Sequence, residues 1–226
     1  MTAARRSPAA VVFDCDGTLA DTESLADRAW AQTLARYGYT PTVDDARAVV
    51  GHPYARNFDH FAARVDLGDP DLFRRRLRAT FLTLFDAELQ LHDDAVGVLR
   101  ALAEAGTPVG VASSSSHEHV QRVLARGALT GLVGVIVGSD DVAEHKPAPR
   151  PYLAAAAALG VPPEECTAVE DTGVGVASAV AAGMYTVAVL RAHQRSSDLA
   201  AAHRVVDHLD LDAVVRPEAP VPTERR

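Results

Sequence analysis

The chain has 226 residues, 48% of them apolar and 23% charged, which is an ordinary globular composition and not a disordered one. That length suits one large domain, or one domain carrying an insert, with a sizeable core. The balance of 30 acids against 22 bases leaves a net charge of -8 and opposes both a large nucleic-acid footprint and a polybasic membrane anchor.

The first predicted element is the short apolar run Ala10 to Phe13, which stops abruptly at Asp14-Cys15-Asp16-Gly17. Apolar residues on both faces suit a buried parallel strand. The segment from 20 to 89 shows no strand pattern. Thr22 to Tyr37 reads as a helix with Leu25, Ala29, Trp30 and Leu34 on one face, ending at Gly38. Asp44 to Val50 and Tyr54 to Val65 are further helices, and Asp69-Pro70 opens a last one through Leu72, Phe73, Leu77, Phe81 and Phe85. Every phenylalanine except Phe13 falls in this segment, which reads as a second, all-helical domain entered and left near 19–22 and 87–92. Arg74-Arg75-Arg76 and Arg78 read as a solvated helix face, some of which could meet an anionic substrate.

Beyond it, strand-like runs return at Val109 to Ala112, Leu132 to Val137, Thr167 to Val169 and Thr186 to Leu190. Helices are predicted between them at Ser116 to Arg126, Arg150 to Leu159 and Val174 to Ala182, the last closing at Gly183. Strands alternating with helices argue for a parallel α/β sheet. The tail 216–226, with three prolines and mixed charge, is expected to be disordered.

Cys15 and Cys166 cannot build a disulfide framework and fit small buried roles in a reducing compartment. No apolar run approaches the roughly 20 residues of a membrane span. Arg5-Arg6-Ser7 hints at a twin-arginine signal, but the run Ala9 to Phe13 is shorter than the about 7–15 residues of a signal h-region. A cytoplasmic protein is expected.

In an open parallel sheet, ligands bind beyond the carboxyl ends of the strands. Here those ends carry Asp14 and Asp16, then Ser113-Ser114-Ser115-Ser116, then Lys146 within Glu144-His145-Lys146-Pro147, then Glu170-Asp171-Thr172-Gly173. Carboxylates brought that close would repel, and a divalent cation resolves the repulsion. Hard oxygen ligands suit Mg²⁺, which typically keeps waters and binds a substrate phosphate. Serines at a helix N-terminus offer donors to an anion, and no Walker loop is present. Ser114 to Ser116 serve either as further phosphate donors or only as caps. His117, Glu118 and His119 read as a solvated first helical turn rather than a metal pair. Gly173 and Gly175 read as sites of close helix packing. Lys146 is the one lysine among the 22 bases, the other 21 being arginine.

Asp14-Cys15-Asp16-Gly17-Thr18-Leu19, Ser113, Lys146-Pro147 and Glu170-Asp171 together resemble the four motifs of the haloacid dehalogenase superfamily, in order across residues 10–190. The helical insert is similar to the cap of its phosphoglucomutase-like phosphatase branch. The resemblance implies a Rossmann-like α/β core at 1–19 and 90–215 with a helical cap at 20–89. It implies Asp14 as nucleophile, Asp16 as acid and base, Lys146 and Ser113 as catalytic partners, and Thr18, Ser113 and Ser114 near the phosphate. It implies Mg²⁺ held by Asp14, Asp16 (through its main-chain carbonyl) and Asp171, with Glu170 a ligand or a carboxylate behind them. Within the loop Gly51-His52-Pro53-Tyr54-Ala55-Arg56, His52 and Arg56 are the residues expected to face substrate, under a cap that closes over the site and excludes bulk water.

The expected activity is a Mg²⁺-dependent phosphomonoesterase on a small phosphate ester, such as a sugar or polyol phosphate, in a monomer or weak dimer. A phosphonoacetaldehyde hydrolase would need a cap lysine, and this cap has none. A sugar phosphomutase is the alternative, but Ala26 and Val50 stand where its histidine and lysine would be expected. A dehalogenase lacks the second aspartate that Asp16 supplies. A non-catalytic binding protein on the same fold is opposed by the complete set Asp14, Asp16, Lys146 and Asp171.

Overall fold

The computed structural model describes residues 5–49, 54–191 and 196–217. The chain divides into two compact units, one formed by Met1–Ala20 with Leu91–Arg226 and the other by Asp21–Gln90. No helix is long and apolar enough to cross a membrane among the described residues.

In chain order the elements are β1 (Arg5–Arg6), β2 (Ala10–Phe13), α1 (Thr22–Ala35), α2 (Val43–Val49), α3 (Tyr54–Ala62), α4 (Pro70–Glu88), α5 (Asp93–Glu104), β3 (Val109–Ala112), α6 (His117–Arg126), β4 (Val135–Val137), α7 (Arg150–Leu159), β5 (Cys166–Glu170), α8 (Gly173–Ala181), β6 (Tyr185–Val189), β7 (Arg204–Val206), α9 (Leu211–Val214) and β8 (Arg216–Pro217).

The larger unit is built on a six-stranded sheet of order β4-β3-β2-β5-β6-β7, parallel throughout. The chain leaves β2 toward β3 and β4, then returns to the other edge of β2 with β5. The order therefore reverses at β2, the kind of switch point where open α/β sheets bind ligands. Register sets what meets there: Phe13 pairs with Val111 of β3 and Val169 of β5, so the residues just past each strand lie side by side. All four residues of β2 are fully buried, because helices cover the sheet. On one face the alanines of α7 and α8 bring those helices close, and Tyr152, Ala155, Ala156 and Ala179 pack with Val12, Ala168 and Met184.

The smaller unit holds α1 to α4. Asp21 caps α1 through the amide of Ser24, and Asp69 caps α4 through that of Leu72, with Pro70 in the first turn. Its core is aromatic: Trp30, Tyr37 and Phe58 lie 5.4–5.5 Å from the ring of Phe73. A second buried feature is Asp45, which accepts from the Tyr39 hydroxyl and from the amide and hydroxyl of Thr42, and pairs with His60 and Arg64.

The structure departs from the sequence expectations in a few places. Arg216 and Pro217, expected to open a disordered tail, pair antiparallel with Arg6 and Arg5; the rest of that tail lies outside the described residues. The strand expected at Leu132 is confined to Val135–Val137, because only these residues align with Gly110 to Ala112 of β3. The helix α5 and the edge strand β7 carry no counterpart among the expected elements.

Candidate active site

Four strand ends supply the site. Asp14 follows β2, with its amide bonded to the carbonyl of Val169 at 2.8 Å. Ser113 follows β3, with its amide on the carbonyl of Val137. Lys146 comes from the loop after β4, and Glu170 and Asp171 from the end of β5.

These residues meet. The Nζ of Lys146 donates to Oδ1 of Asp14 at 2.6 Å and to Oε1 of Glu170 at 2.5 Å. The ammonium lies 4.9 Å from the ring centroid of Tyr152, a cation–π distance, and the Tyr152 hydroxyl donates to the same Glu170 oxygen at 2.8 Å. The Lys146 side chain is only 3% exposed. Burial opposes its charge, but Asp14 and Glu170 beside it outweigh burial, so it is held well above the ordinary lysine value. Asp14 is pushed up to about 8: burial is the largest cause, Lys146 pulls the other way, and the carboxylates of Glu170 and Asp16 push with burial.

Glu170 is held on both oxygens. Its Oε2 accepts from the amides of Asp171 and Thr172 and from the Thr172 hydroxyl. That hydroxyl in turn accepts from the amide of Gly175 and caps α8. A Cβ on Gly175 would collide with the Glu170 carboxylate, so this glycine makes room for a charge rather than only for helix packing. Gly173 does pack closely, against the main-chain oxygen of Asp198. Gly17 has φ +86 and approaches the Asp171 carboxylate so nearly that a Cβ would strike it.

Asp14, Glu170 and Asp171 can each offer an oxygen within 4.8 Å of the others, all three buried. Three carboxylates face one ammonium, an excess of negative charge in a buried place. Hard oxygen donors of this kind fit a divalent cation. The side chain of Asp16 stands apart from this cluster, and its expected metal contact concerns its main-chain carbonyl.

The carboxylate of Asp16 is instead held by the serine loop and α6. Ser115 Oγ donates to Oδ2 at 2.7 Å, Ser113 Oγ lies 3.4 Å from the same oxygen, and His119 Nε2 lies 2.8 Å from Oδ1. This corrects the reading of His117 to His119 as one solvated turn. Glu118 is exposed, but His119 is turned inward onto Asp16 and His117 meets Asp141 at 2.7 Å. The serines also divide: Ser116 caps α6, Ser115 serves Asp16, and Ser114 is exposed.

Thr18, expected near the phosphate, is fully buried and donates its hydroxyl to Asp171 Oδ1 at 3.0 Å. Its side chain supports a carboxylate. His52 lies outside the described residues, and Arg56 is exposed in the first turn of α3 within the smaller unit.

Sequence reasoning passed over one clamp. Arg191, just past β6, forks onto both oxygens of Asp94 and also donates to the carbonyls of Gly17 and Thr18. Burial of Asp94 is outweighed by Arg191 and by the Leu209 and Ala95 amides, so Asp94 is held down to about 2. The pair fixes the turn that follows Asp14 and Asp16. An arginine two residues beyond the end of β6 was the only local signal.

A family model for haloacid dehalogenase-like hydrolases matches residues 8–183. The chain is 32% identical over 183 residues to the fructose-1-phosphate phosphatase YqaB of Escherichia coli (strain K12), covering 80% of this chain and 96% of that protein. It is 32% identical over 182 residues to hexitol phosphatase A of the same organism, covering 79% and 81%. Among solved structures, CbbY from Rhodobacter sphaeroides in complex with phosphate matches with a TM-score of 0.73 at 28% identity, across 89% of this chain and 94% of that one.

Proposed function

The chain belongs to the haloacid dehalogenase-like hydrolases and is a phosphoric monoester hydrolase, and we propose that it hydrolyses small sugar or polyol phosphates through a Mg²⁺-dependent aspartyl-phosphate mechanism on Asp14. The observation that carries this reading is Lys146 bridging Asp14 and Glu170 at the switch point of the sheet.

In the first step an oxygen of Asp14 attacks phosphorus and the bond from phosphorus to the ester oxygen breaks. The proton for that leaving oxygen comes from the carboxyl group of Asp16. In the second step Asp16, now a carboxylate, takes a proton from water as the water oxygen attacks the aspartyl-phosphate, releasing inorganic phosphate and restoring Asp14. Lys146 lowers the repulsion between Asp14 and the incoming phosphoryl group, and Ser113 offers its hydroxyl to a phosphoryl oxygen. Glu170 holds Lys146 in place, its oxygens being occupied by donors from Lys146, Tyr152, Asp171 and Thr172. A Mg²⁺ held by Asp14, Asp171 and the main-chain carbonyl of Asp16 would supply positive charge against these carboxylates and the phosphoryl oxygens.

The named activities of the two bacterial relatives, on fructose 1-phosphate and on hexitol phosphates, support this ester class. A phosphomutase is disfavoured by Ala26 and by the lack of any lysine in residues 21–90. The test is a panel of sugar and polyol phosphates with Mg²⁺, scored by phosphate release. Turnover of at least one such ester is expected, with a loss on the order of 10⁴-fold in Asp14→Asn. Full turnover in that variant, or no release from any ester, overturns the reading.

A further inference from the structure

We propose that His119, together with Ser115, is the positioning residue that aims the Asp16 carboxyl group at the leaving oxygen and at the attacking water. The inference rests on the acid and base role assigned to Asp16 above.

The geometry comes from one turn of chain. Pairing of β3 with β2 brings the serine loop beside Asp16. Ser116 then starts α6, accepting from the amide of His119 on its own hydroxyl. That cap puts His119 at the third helical position, where its side chain turns back toward the strand ends, and its ring is left 16% exposed against Asp16 at 25%. A carboxyl group held by one donor can rotate about its Cβ–Cγ bond. Asp16 is held on opposite oxygens, by Ser115 on Oδ2 and by His119 on Oδ1, so its plane is set. Ser113 Oγ, 3.4 Å from Oδ2, adds a longer contact on the Ser115 side. When Asp16 is a carboxylate it can only accept, so the hydrogen of this 2.8 Å contact then belongs to Nε2 of His119.

A group that aims the acid has a signature that a merely structural one lacks. Fructose 1-phosphate has a poor alkoxide leaving group and needs its proton. p-Nitrophenyl phosphate leaves as a stable phenolate and does not. Because kcat/KM covers only the steps up to cleavage of the ester bond, it isolates the acid role. In His119→Ala, kcat/KM on fructose 1-phosphate should fall about 10–100-fold, the range for removing a group that orients a catalytic one, and on p-nitrophenyl phosphate by less than about 3-fold. His119→Gln, whose amide nitrogen reaches the same distance, should recover most of the loss. Binding of inorganic phosphate, measured as product inhibition, should not change.

An equal loss on both esters, no loss on either, or a glutamine variant no better than alanine overturns the proposal, the aryl ester serving as the check on folding. If fructose 1-phosphate is not hydrolysed, the same comparison is made between p-nitrophenyl phosphate and phenyl phosphate, whose leaving group is poorer. The parallel variant Asp16→Asn separates the two readings. If it fails to discriminate the esters, the role of Asp16 itself falls; if it discriminates them and His119→Ala does not, only the positioning role falls.

Discussion

Two buried aspartates, one in each unit, show opposite chemistry. Asp45 in the smaller unit is surrounded by donors: Tyr39, Thr42, His60 and Arg64. Burial raises its pKa, but the Thr42 amide and the Tyr39 and His60 bonds outweigh burial and hold it well below the ordinary value of 3.8. Asp14 in the larger unit shares its one ammonium with Glu170 and lies near Asp16, and it is pushed up to about 8. Burial is common to both. The difference lies in the neighbours: a carboxylate whose lone pairs are all answered is structural, whereas one left short of positive charge suits the cation-binding and nucleophilic roles proposed for Asp14.

That contrast breaks or sharpens at three points. The largest effect is expected from chelation of Mg²⁺, which should abolish phosphate release. Restoring the metal at 100 times its dissociation constant should stabilise the wild type by about 2.7 kcal/mol. The stabilisation should persist in Asp45→Ala and vanish in Asp171→Asn, read as the shift in Tm. An equal Mg²⁺ shift in Asp171→Asn would remove this cluster as the metal site. The next effect is Lys146→Arg, expected to cost on the order of 10²–10³ in kcat. A planar fork does not replace a compact ammonium seated between Asp14 and Glu170. Wild-type turnover in that variant would mean that positive charge alone suffices there.

The smallest effect is Asp45→Ala. It should cost about 1–3 kcal/mol of stability by leaving buried donors unanswered, with kcat/KM at 25 °C unchanged. Because the folded pKa of Asp45 is depressed, its contribution is complete above the ordinary 3.8 and fades as pH falls below it. Asp94 adds to the same loss between 3.8 and about 2. The stability gap between wild type and Asp45→Ala, followed by denaturant titration, should therefore narrow on going from pH 5 to pH 3. A constant gap would assign the Asp45 effect to packing.

Much of the α/β sheet was legible because its strands are locally uniform. Ala10 to Phe13 and Val109 to Ala112 are apolar on both faces and end at polar residues, and both are strands within those bounds. The helix Arg150–Leu159 was legible for a similar reason, an alanine-rich run stopped by Gly160 in the left-handed region. The edge strand β7 was not legible, since Arg204–Val206 becomes a strand only by pairing with β6. The helix α5 did carry a local signal, with Ala95, Val98, Leu99 and Leu102 on its buried face.

The residue types and order of the site can be read along the chain: Asp14 and Asp16 after one strand, Ser113 after another, a single lysine among arginines, then Glu170 and Asp171. Each is a short local pattern, and the lone lysine stands out by composition. The partners of those residues cannot be read that way. Thr18 on Asp171, Tyr152 on Glu170, Arg191 on Asp94 and His119 on Asp16 link positions 18 to 153 residues apart. They exist because the register of β3 and β5 on β2, and the cap at Ser116, bring distant side chains to one end of the sheet. Local periodicity assigns His119 to a helical turn. Only the folding of that turn against the first strand gives it a carboxylate to hold.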